Sequence, residues 1–371
     1  MSVGQQYTPG LEGVIACETE ISYLDVEQEQ IVIRGYDLIE LSKKATYLDL
    51  VFLIMNGRLP KADERNQLQR VLAQEAQVPD QLFHIMKLLP KTTDSMDMLR
   101  TCISALAGFE PELEDRSAEA NRRKTIRLLA KVPIIVANLH HAKTGGDWIL
   151  PRADLSYAAN FLYMITGKIP TALEERIYDQ LLMAYSEHEM PNSTFAARVI
   201  ASTTSDIYGA LTGAVASLKG KLHGGANEAV MEMLLEAKTE EGLEALILTK
   251  LKNKERIMGF GHRVYMKKMD PRAQLMKEAL DELTKAKGNR ELYEMCVRGE
   301  EVMKWEKGLY PNLDYYAAPV YYLLDIPIPL YTPIFLAARI IGIGAHVTEQ
   351  HAHNRLFRPR VKYTGPRNLQ V

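Results

Sequence analysis

A chain of 371 residues is long enough for two domains or one large one, at roughly 100–200 residues each, and needs no disulfide or metal staple to hold a core. Its 45 Lys and Arg against 47 Asp and Glu leave a net charge of −2, which gives no global electrostatic reason to bind nucleic acid or an acidic membrane. With 47% hydrophobic and 25% charged residues, the composition excludes disorder as the main theme.

Cys17, Cys102 and Cys296 are scattered and form no CxxC, so they propose neither a disulfide framework nor a zinc ribbon and point to a reducing cytoplasm. Residues 1–6 carry no basic segment followed by an apolar stretch, so no export signal is expected. The most apolar region, 317–347, is cut by Asp325, Arg339 and the prolines 319, 327, 329 and 333, so no uninterrupted membrane-length span is expected.

Residues 13–34 are where β-branched residues cluster, in Val14-Ile15 and Ile31-Val32-Ile33 around the polar Glu27-Gln28-Glu29-Gln30. This pattern predicts a small N-terminal hairpin. From Asp37 onward the spacing is helical, punctuated by Gly57 and Pro60, Gly108 and Pro111, and Gly167 and Pro170. The chain is therefore expected to be mainly α. Gly209, Gly213 and Ser217 put small residues on one face of a helix, either for packing within the chain or as a seam between two copies.

Two later helices can be placed from their patterns. In 226–237, Ala226, Ala229, Val230, Met233, Leu234 and Ala237 form an apolar stripe, with Asn227, Glu228 and Glu232 expected to face away. Asp270-Pro271 supplies an N-cap and an N1 proline to a second helix striped by Ala273, Met276, Ala279, Leu280 and Leu283. Both helix starts adjoin histidines. No internal repeat or linker marks a domain boundary.

Nucleotide-phosphate motifs are missing: there is no GxxxxGK[ST], and neither Gly259-Phe260-Gly261 nor Gly342-Ile343-Gly344 completes GxGxxG. HExxH is absent too. His346, His351 and His353 could be imagined as ligands of a metal-dependent hydrolase, but positions i and i+2 of a helix point apart.

The polar groups set among glycine, proline and small residues are of another kind. His223, in Lys221-Leu222-His223-Gly224-Gly225, precedes a helix N-terminus, whose macrodipole disfavours protonation and keeps the imidazole a neutral donor. It could equally terminate a helix. His262 follows two glycines that permit close backbone approach to a ligand. Arg272 stands in the first turn of the 270–285 helix, an apt carboxylate site or simply a surface Arg after a turn. Asp314, among Tyr310, Tyr315 and Tyr316, would be a stronger base than a surface carboxylate, or else a helix N-cap. Arg339 is a lone charge in an apolar helix that requires an anion, an internal ion pair or a route to solvent. His188 and Arg358 complete the set. Together these groups suit acid–base chemistry on a small multi-carboxylate substrate; a non-catalytic helical scaffold is the contrasting reading.

The blocks Gly10-Leu11-Glu12-Gly13-Val14, Arg34-Gly35-Tyr36-Asp37, Met96-Asp97-Met98-Leu99-Arg100-Thr101, 188–199, 218–230, 259–265 with Asp270-Pro271-Arg272, Asn312-Leu313-Asp314 and 345–360 resemble, in order, those of the citrate synthase family. Within it the sequence is most similar to bacterial 2-methylcitrate synthases. The resemblance implies an all-α, two-lobed homodimer, with 1–220 plus 322–371 as the large lobe and 221–321 as the small one. It implies condensation of propionyl-CoA, and also acetyl-CoA, with oxaloacetate, and neither a bound cofactor nor a metal.

On that resemblance His223 holds the thioester carbonyl, Asp314 takes the α-proton and His262 serves as acid toward oxaloacetate. His188, Arg272, Arg339 and Arg358 would bind substrate, Arg358 across the dimer interface, while Arg256, Ile257, Met258, Gly259 and Phe260 meet coenzyme A. Two departures from the family pattern stand out. One is an extra residue in Met266-Lys267-Lys268-Met269, and the other is Tyr316-Ala317-Ala318 where a glycine is usual in the last position.

Overall fold

The protein is described here by a computed structural model over residues 7–25, 27–28, 30–261 and 268–370. Near its start, β1 (Ser22–Asp25), β2 (Gln30–Ile33) and β3 (Tyr36–Asp37) form an antiparallel sheet in that order, with Ser22 opposite Ile33 and Leu24 opposite Ile31. This corrects the expected first strand. Val14-Ile15 stay outside the sheet, with Ile15 90% exposed, whereas β1 alternates buried and exposed residues against the fully buried Ile31 and Ile33. One-sided burial, rather than β-propensity, selects the strand.

Helices make up most of the rest, and several are started by a side-chain cap. Asp37 caps α1 (Leu38–Lys44), and Thr46 with Asp49 makes a capping box for α2 (Tyr47–Asn56). There follow α3 (Ala62–Glu75), α4 (Asp80–Leu88), α5 (Ser95–Leu106), α6 (Ala118–Thr144), α7 (Tyr157–Thr166) and α8 (Ala172–Ser186). Gly57 and Gly167 end α2 and α7 in the left-handed conformation, as their punctuation predicts, while Gly108 falls in a 3-10 turn after α5.

Next come α9 (Asn192–Ala201), α10 (Ile207–Leu218), α11 (Ala226–Ala237), α12 (Glu240–Lys252), α13 (Pro271–Lys287), α14 (Glu291–Lys307), α15 (Leu313–Leu323) and α16 (Tyr331–Ala352). The small-residue face of α10 serves packing within the chain: a Cβ on Gly213 would sit 2.1 Å from Ile200 of α9, and Ser217 donates to Asn192 across the same contact.

α11 begins and ends where its stripe predicts, but Asn227 is fully buried and the Glu228 carboxylate accepts from the Thr332 backbone N–H at 3.3 Å. These two do not face away, because α11 is packed by α15 on one side and by the start of α16 on another. Only Glu232 is exposed as expected.

α16 is the central element, lying against α6, α8 and α9. The expectation of an interrupted apolar region is corrected here. Pro327 and Pro329 lie at a preceding 3-10 turn, and Pro333 falls in the first turn of α16, where a missing N–H costs little. Among the described residues, 328–352 is the one helical segment long and apolar enough to cross a membrane by length and composition. It is 83% buried inside the fold over its most apolar stretch, as the core helix of a folded chain would be.

Candidate active site

His223 sits in the turn between α10 and α11, held by its N–H to Gly220 O at 2.8 Å. Gly224 follows it because a Cβ there would meet Leu218 O at 2.4 Å. The backbone N–H of Ser193, in the first turn of α9, points at His223 Nε2 from 3.2 Å, and Ser193 Oγ is 2.9 Å from the same atom. A backbone N–H can only donate, so Nε2 is an acceptor and the imidazole proton is on Nδ1. Burial, helped by the positive Arg339, pushes the His223 pKa down to about 4. At neutral pH this histidine is an uncharged Nδ1–H donor, fixed by α9 as much as by the α11 terminus to which the sequence pointed.

Asp314 does not cap α15. Asn312 does, accepting from the Asp314 N–H at 3.1 Å, and this leaves the Asp314 carboxylate for other work. Its Oδ1 accepts from the Tyr185 hydroxyl at 2.7 Å. Burial raises its pKa from 3.8 to about 6, against the opposing pull of Tyr185, Arg272 and Arg339. The result is a carboxylate that is ionised at neutral pH yet more basic than one in water.

Arg339 is 2% exposed, with Nε donating to Tyr185 O at 2.5 Å, its guanidinium 4.7 Å from the Phe335 ring, and Nη1 without a partner. Burial pushes its pKa down to about 10, which still leaves it charged. Among the described residues no carboxylate comes within ion-pair distance of it, so neither an internal ion pair nor a route to solvent accounts for this side chain. A buried guanidinium with an unused donor calls for an anion from outside. Phe335 and Tyr185 tie the set together: their rings are 4.5 Å apart, and Phe335 also meets His223 edge-on at 6.3 Å.

Glu187, fully buried between α8 and His188, lends Arg339 a more distant negative charge. Ser22 Oγ donates to Glu187 Oε1 at 2.8 Å. Arg198 Nε donates to His346 Nδ1 at 2.9 Å, which leaves the His346 Nε2–H to donate to Glu187 Oε1 at 3.1 Å. Burial would raise the Glu187 pKa, but His346 and Arg339 outweigh it and hold the carboxyl below its usual range. Gly342 makes room for it, since a Cβ there would fall 2.1 Å from Glu187 Oε2.

Arg272 is 4% exposed rather than a surface residue, and it is already engaged: Asp270 accepts from Nε at 3.1 Å and from Nη2 at 2.7 Å, and Nη1 reaches Ala184 O at 3.4 Å. The helix-start carboxylate site is thus partly filled by its own N-cap. His188 follows α8 and is 7% exposed.

Of the loop residues, Ile257, Gly259 and Phe260 are buried, Met258 is half-buried and Arg256 is exposed. Gly259 has φ 85 and lies where a Cβ would be 2.7 Å from Val230. The loop is stitched to the approach to α15: Gly261 N–H donates to Tyr310 O and Asn312 N–H to Gly259 O, both at 2.9 Å. His262 lies outside the described residues, as do positions 266 and 267 of the loop with the extra residue.

Arg358 is not brought to this cluster. It is exposed in a groove of about 1240 Å³ shared with Val14, Ile15, Arg198, Glu349 and Phe357. Two of the three histidines of the imagined metal site have their ring nitrogens taken: His346 by Arg198 and Glu187, and His351 by Asn121 at 2.9 Å and Ser205 O at 3.0 Å.

The sequence profile described as "Citrate synthase, C-terminal domain" matches residues 10–360. The chain belongs to the citrate synthase family. It is 62% identical to the citrate/2-methylcitrate synthase of Bacillus subtilis (strain 168), over 99% of both chains, and it is an enzyme of this kind. It is 61% identical to the citrate synthase of Heyndrickxia coagulans over 99% of this chain and 98% of that one. Among solved structures, the ternary complex of carboxymethyl coenzyme A and oxaloacetate with the citrate synthase of Thermoplasma acidophilum aligns with a TM-score of 0.93 at 30% identity, over 99% of this chain and 98% of that one. The citrate synthase of Thermotoga maritima aligns at 0.88 with 35% identity, over 99% and 98%.

Against this family background the sequence motifs lead to His223, Asp314, Arg272 and Arg339, but not to Tyr185, Ser193 or Glu187. Ser193 and Glu187 lie inside or beside a recognised block and had a signal in that position. Tyr185 had none, since its partner is 129 residues away.

Proposed function

We propose that this chain condenses an acyl-CoA thioester with oxaloacetate and water, giving a citrate-type acid and free coenzyme A, with propionyl-CoA as preferred donor and acetyl-CoA also accepted. The observation that carries the mechanism is the fixed tautomer of His223, whose only available ring donor is Nδ1–H, in one cluster with Asp314 and Arg339. A thioester α-carbon is a very weak acid, so a carboxylate base succeeds only if the developing oxyanion meets a preorganised donor. In this reading Asp314 removes the α-proton while His223 Nδ1–H holds the thioester oxygen of the enol. The enol carbon then adds to the ketone of oxaloacetate, His262 supplying the proton to the new alkoxide, and hydrolysis of the citryl-type thioester releases coenzyme A.

Arg339 with its unused Nη1, together with Arg272 and His188, receives oxaloacetate, and Arg358 of the partner subunit completes the anion site in a homodimer. Exposed Leu356, Val361, Tyr363 and Leu369 around Arg358 favour a second copy covering that segment. The 256–260 loop meets coenzyme A, and residues 221–321 form the lobe that closes. Support for propionyl-CoA comes from the alanine at position 318; Ala317 and Ala318 are both fully buried, so any effect on the acyl pocket passes through packing, and a methyl group is worth only about 1–3 kcal/mol of discrimination.

Trapping liberated thiol with a chromogenic reagent tests the reaction directly. Thiol release that requires oxaloacetate is expected with both donors, and its absence with both would refute the proposal. A kcat/KM strongly favouring acetyl-CoA would replace the propionyl preference by the acetyl-CoA-preferring reading.

A further inference from the structure

We propose that Tyr185 is the positioning residue of the base: its phenol fixes one oxygen of Asp314, so that the other oxygen is the one presented to the thioester α-carbon. This rests on the reading of Asp314 as the base. Tyr185 closes α8 and is 1% exposed, and its hydroxyl donates to Asp314 Oδ1 at 2.7 Å on a helix far along the chain. Its main-chain carbonyl accepts from Arg339 Nε at 2.5 Å. A single residue therefore sets the register between the carboxylate that takes a proton and the guanidinium that awaits the dicarboxylate.

The ring cannot swing away. Phe335 lies tilted against it at 4.5 Å and Tyr321 is stacked at 6.1 Å. The Tyr185 hydroxyl is aimed at the Asp314 carboxylate.

Among the described residues, the groups facing Asp314 are Arg272 and Asp270 from the start of α13, Arg339 from α16, Tyr185 from α8, and Tyr321 on its own helix. Burial and Asp270 raise its pKa, while Tyr185 and the two arginines lower it. A donor to the ionised form favours that form, so losing the phenol moves Asp314 upward, toward a state half-protonated at neutral pH. It also frees the carboxylate to rotate, and misplacement of a reacting group by an ångström costs on the order of a hundredfold in rate.

The test uses the full-length enzyme with Tyr185→Phe, which keeps the ring and the main-chain carbonyl. The acid limb of kcat/KM for acyl-CoA, which reports the free enzyme, is expected to move up by about one pH unit, the size of one hydrogen bond to a charged acceptor. At neutral pH kcat should fall at least tenfold, while KM for oxaloacetate stays within about threefold, because Arg339 keeps its carbonyl partner. Site-specific 2,3-difluorotyrosine at position 185, a stronger donor of nearly unchanged size, should move the limb the other way, and it decides the matter even if Tyr185→Phe does not fold.

An acid limb unmoved in either variant, whatever happens to rate or melting temperature, would reduce Tyr185 to a packing residue. Shifts of both variants in the same direction would do the same. The base assignment itself fails separately, through an Asp314→Asn enzyme that keeps its turnover.

Discussion

Replacing Asp314 by asparagine should stabilise the folded chain while removing its turnover. The Asp314 pKa stands at about 6 in the folded protein against its ordinary 3.8. Between those values the folded state binds the proton and the unfolded state does not, so stability is lost as pH rises through the window from about 4 to 6. Above it the loss is complete, and about two pH units at 1.36 kcal/mol each gives about 3 kcal/mol, reduced to about 2–3 because the side chain is partly exposed. An asparagine keeps the shape, can offer its oxygen to the Tyr185 hydroxyl, and carries no charge to bury. With an unfolding entropy of about 2.1 cal/mol/K per residue over 371 residues, this gain raises Tm by about 3–4 °C at pH 7.5. Well below pH 3.8, where both states of the parent are protonated, the difference should vanish, and at pH 3.8, where the unfolded carboxyl is half ionised, only about 0.4 kcal/mol of it should remain. Thermal melts of the two proteins by circular dichroism at pH 7.5 and pH 3.8 measure both numbers, and thiol release should show a loss of about 10²–10⁴-fold. A lower Tm for the variant at pH 7.5, or an equal increment at both pH values, would refute the burial argument.

Arg339→Gln removes the buried charge without opening a large cavity, and should raise KM for oxaloacetate on the order of a hundredfold or more. Saturation kinetics at fixed acyl-CoA would reveal it, and an unchanged KM would remove Arg339 from the anion site. Gly259→Ala must adopt φ 85 and meet Val230 at 2.7 Å, so both stability and kcat should fall, the former by about 2–3 kcal/mol in urea titration. Ser193→Ala keeps the backbone N–H that fixes the His223 tautomer and should cost less than about tenfold in kcat. His223→Ala should cost about 10²–10⁴-fold; equal losses in these two would mean that the serine hydroxyl, not the backbone, orders the imidazole.

Where local spacing and burial coincide, the sequence is legible. α11 and α13 begin at the expected residues because a cap or a glycine pair precedes an apolar stripe that really is the buried face. Asn227 escapes that logic because α11 is packed on more than one side, which periodicity along one helix cannot express. The first strand escapes it too: Val14-Ile15 have the better strand composition, and Ser22–Asp25 have the partner with a buried face. In the site, residues whose chemistry is unusual for their surroundings, such as Arg339 in an apolar helix, announce themselves. Tyr185 does not, since a tyrosine ending an apolar helix is ordinary until a carboxylate from α15 arrives beside it.

Arg339 has one more consequence, felt before the fold exists. α16 follows α6, α8 and α9 in the chain, and until it is sheltered among them it has the length and mean hydropathy of a membrane-spanning segment. An arginine near the middle of such a helix opposes insertion into a bilayer by about 2.5–3.5 kcal/mol, whereas a leucine would favour it by about 0.3–0.6. The charge that awaits an anion in the finished protein therefore also marks the nascent helix as cargo to be folded rather than inserted. In a microsome insertion assay the isolated 328–352 segment should insert far more often with Arg339→Leu than without it.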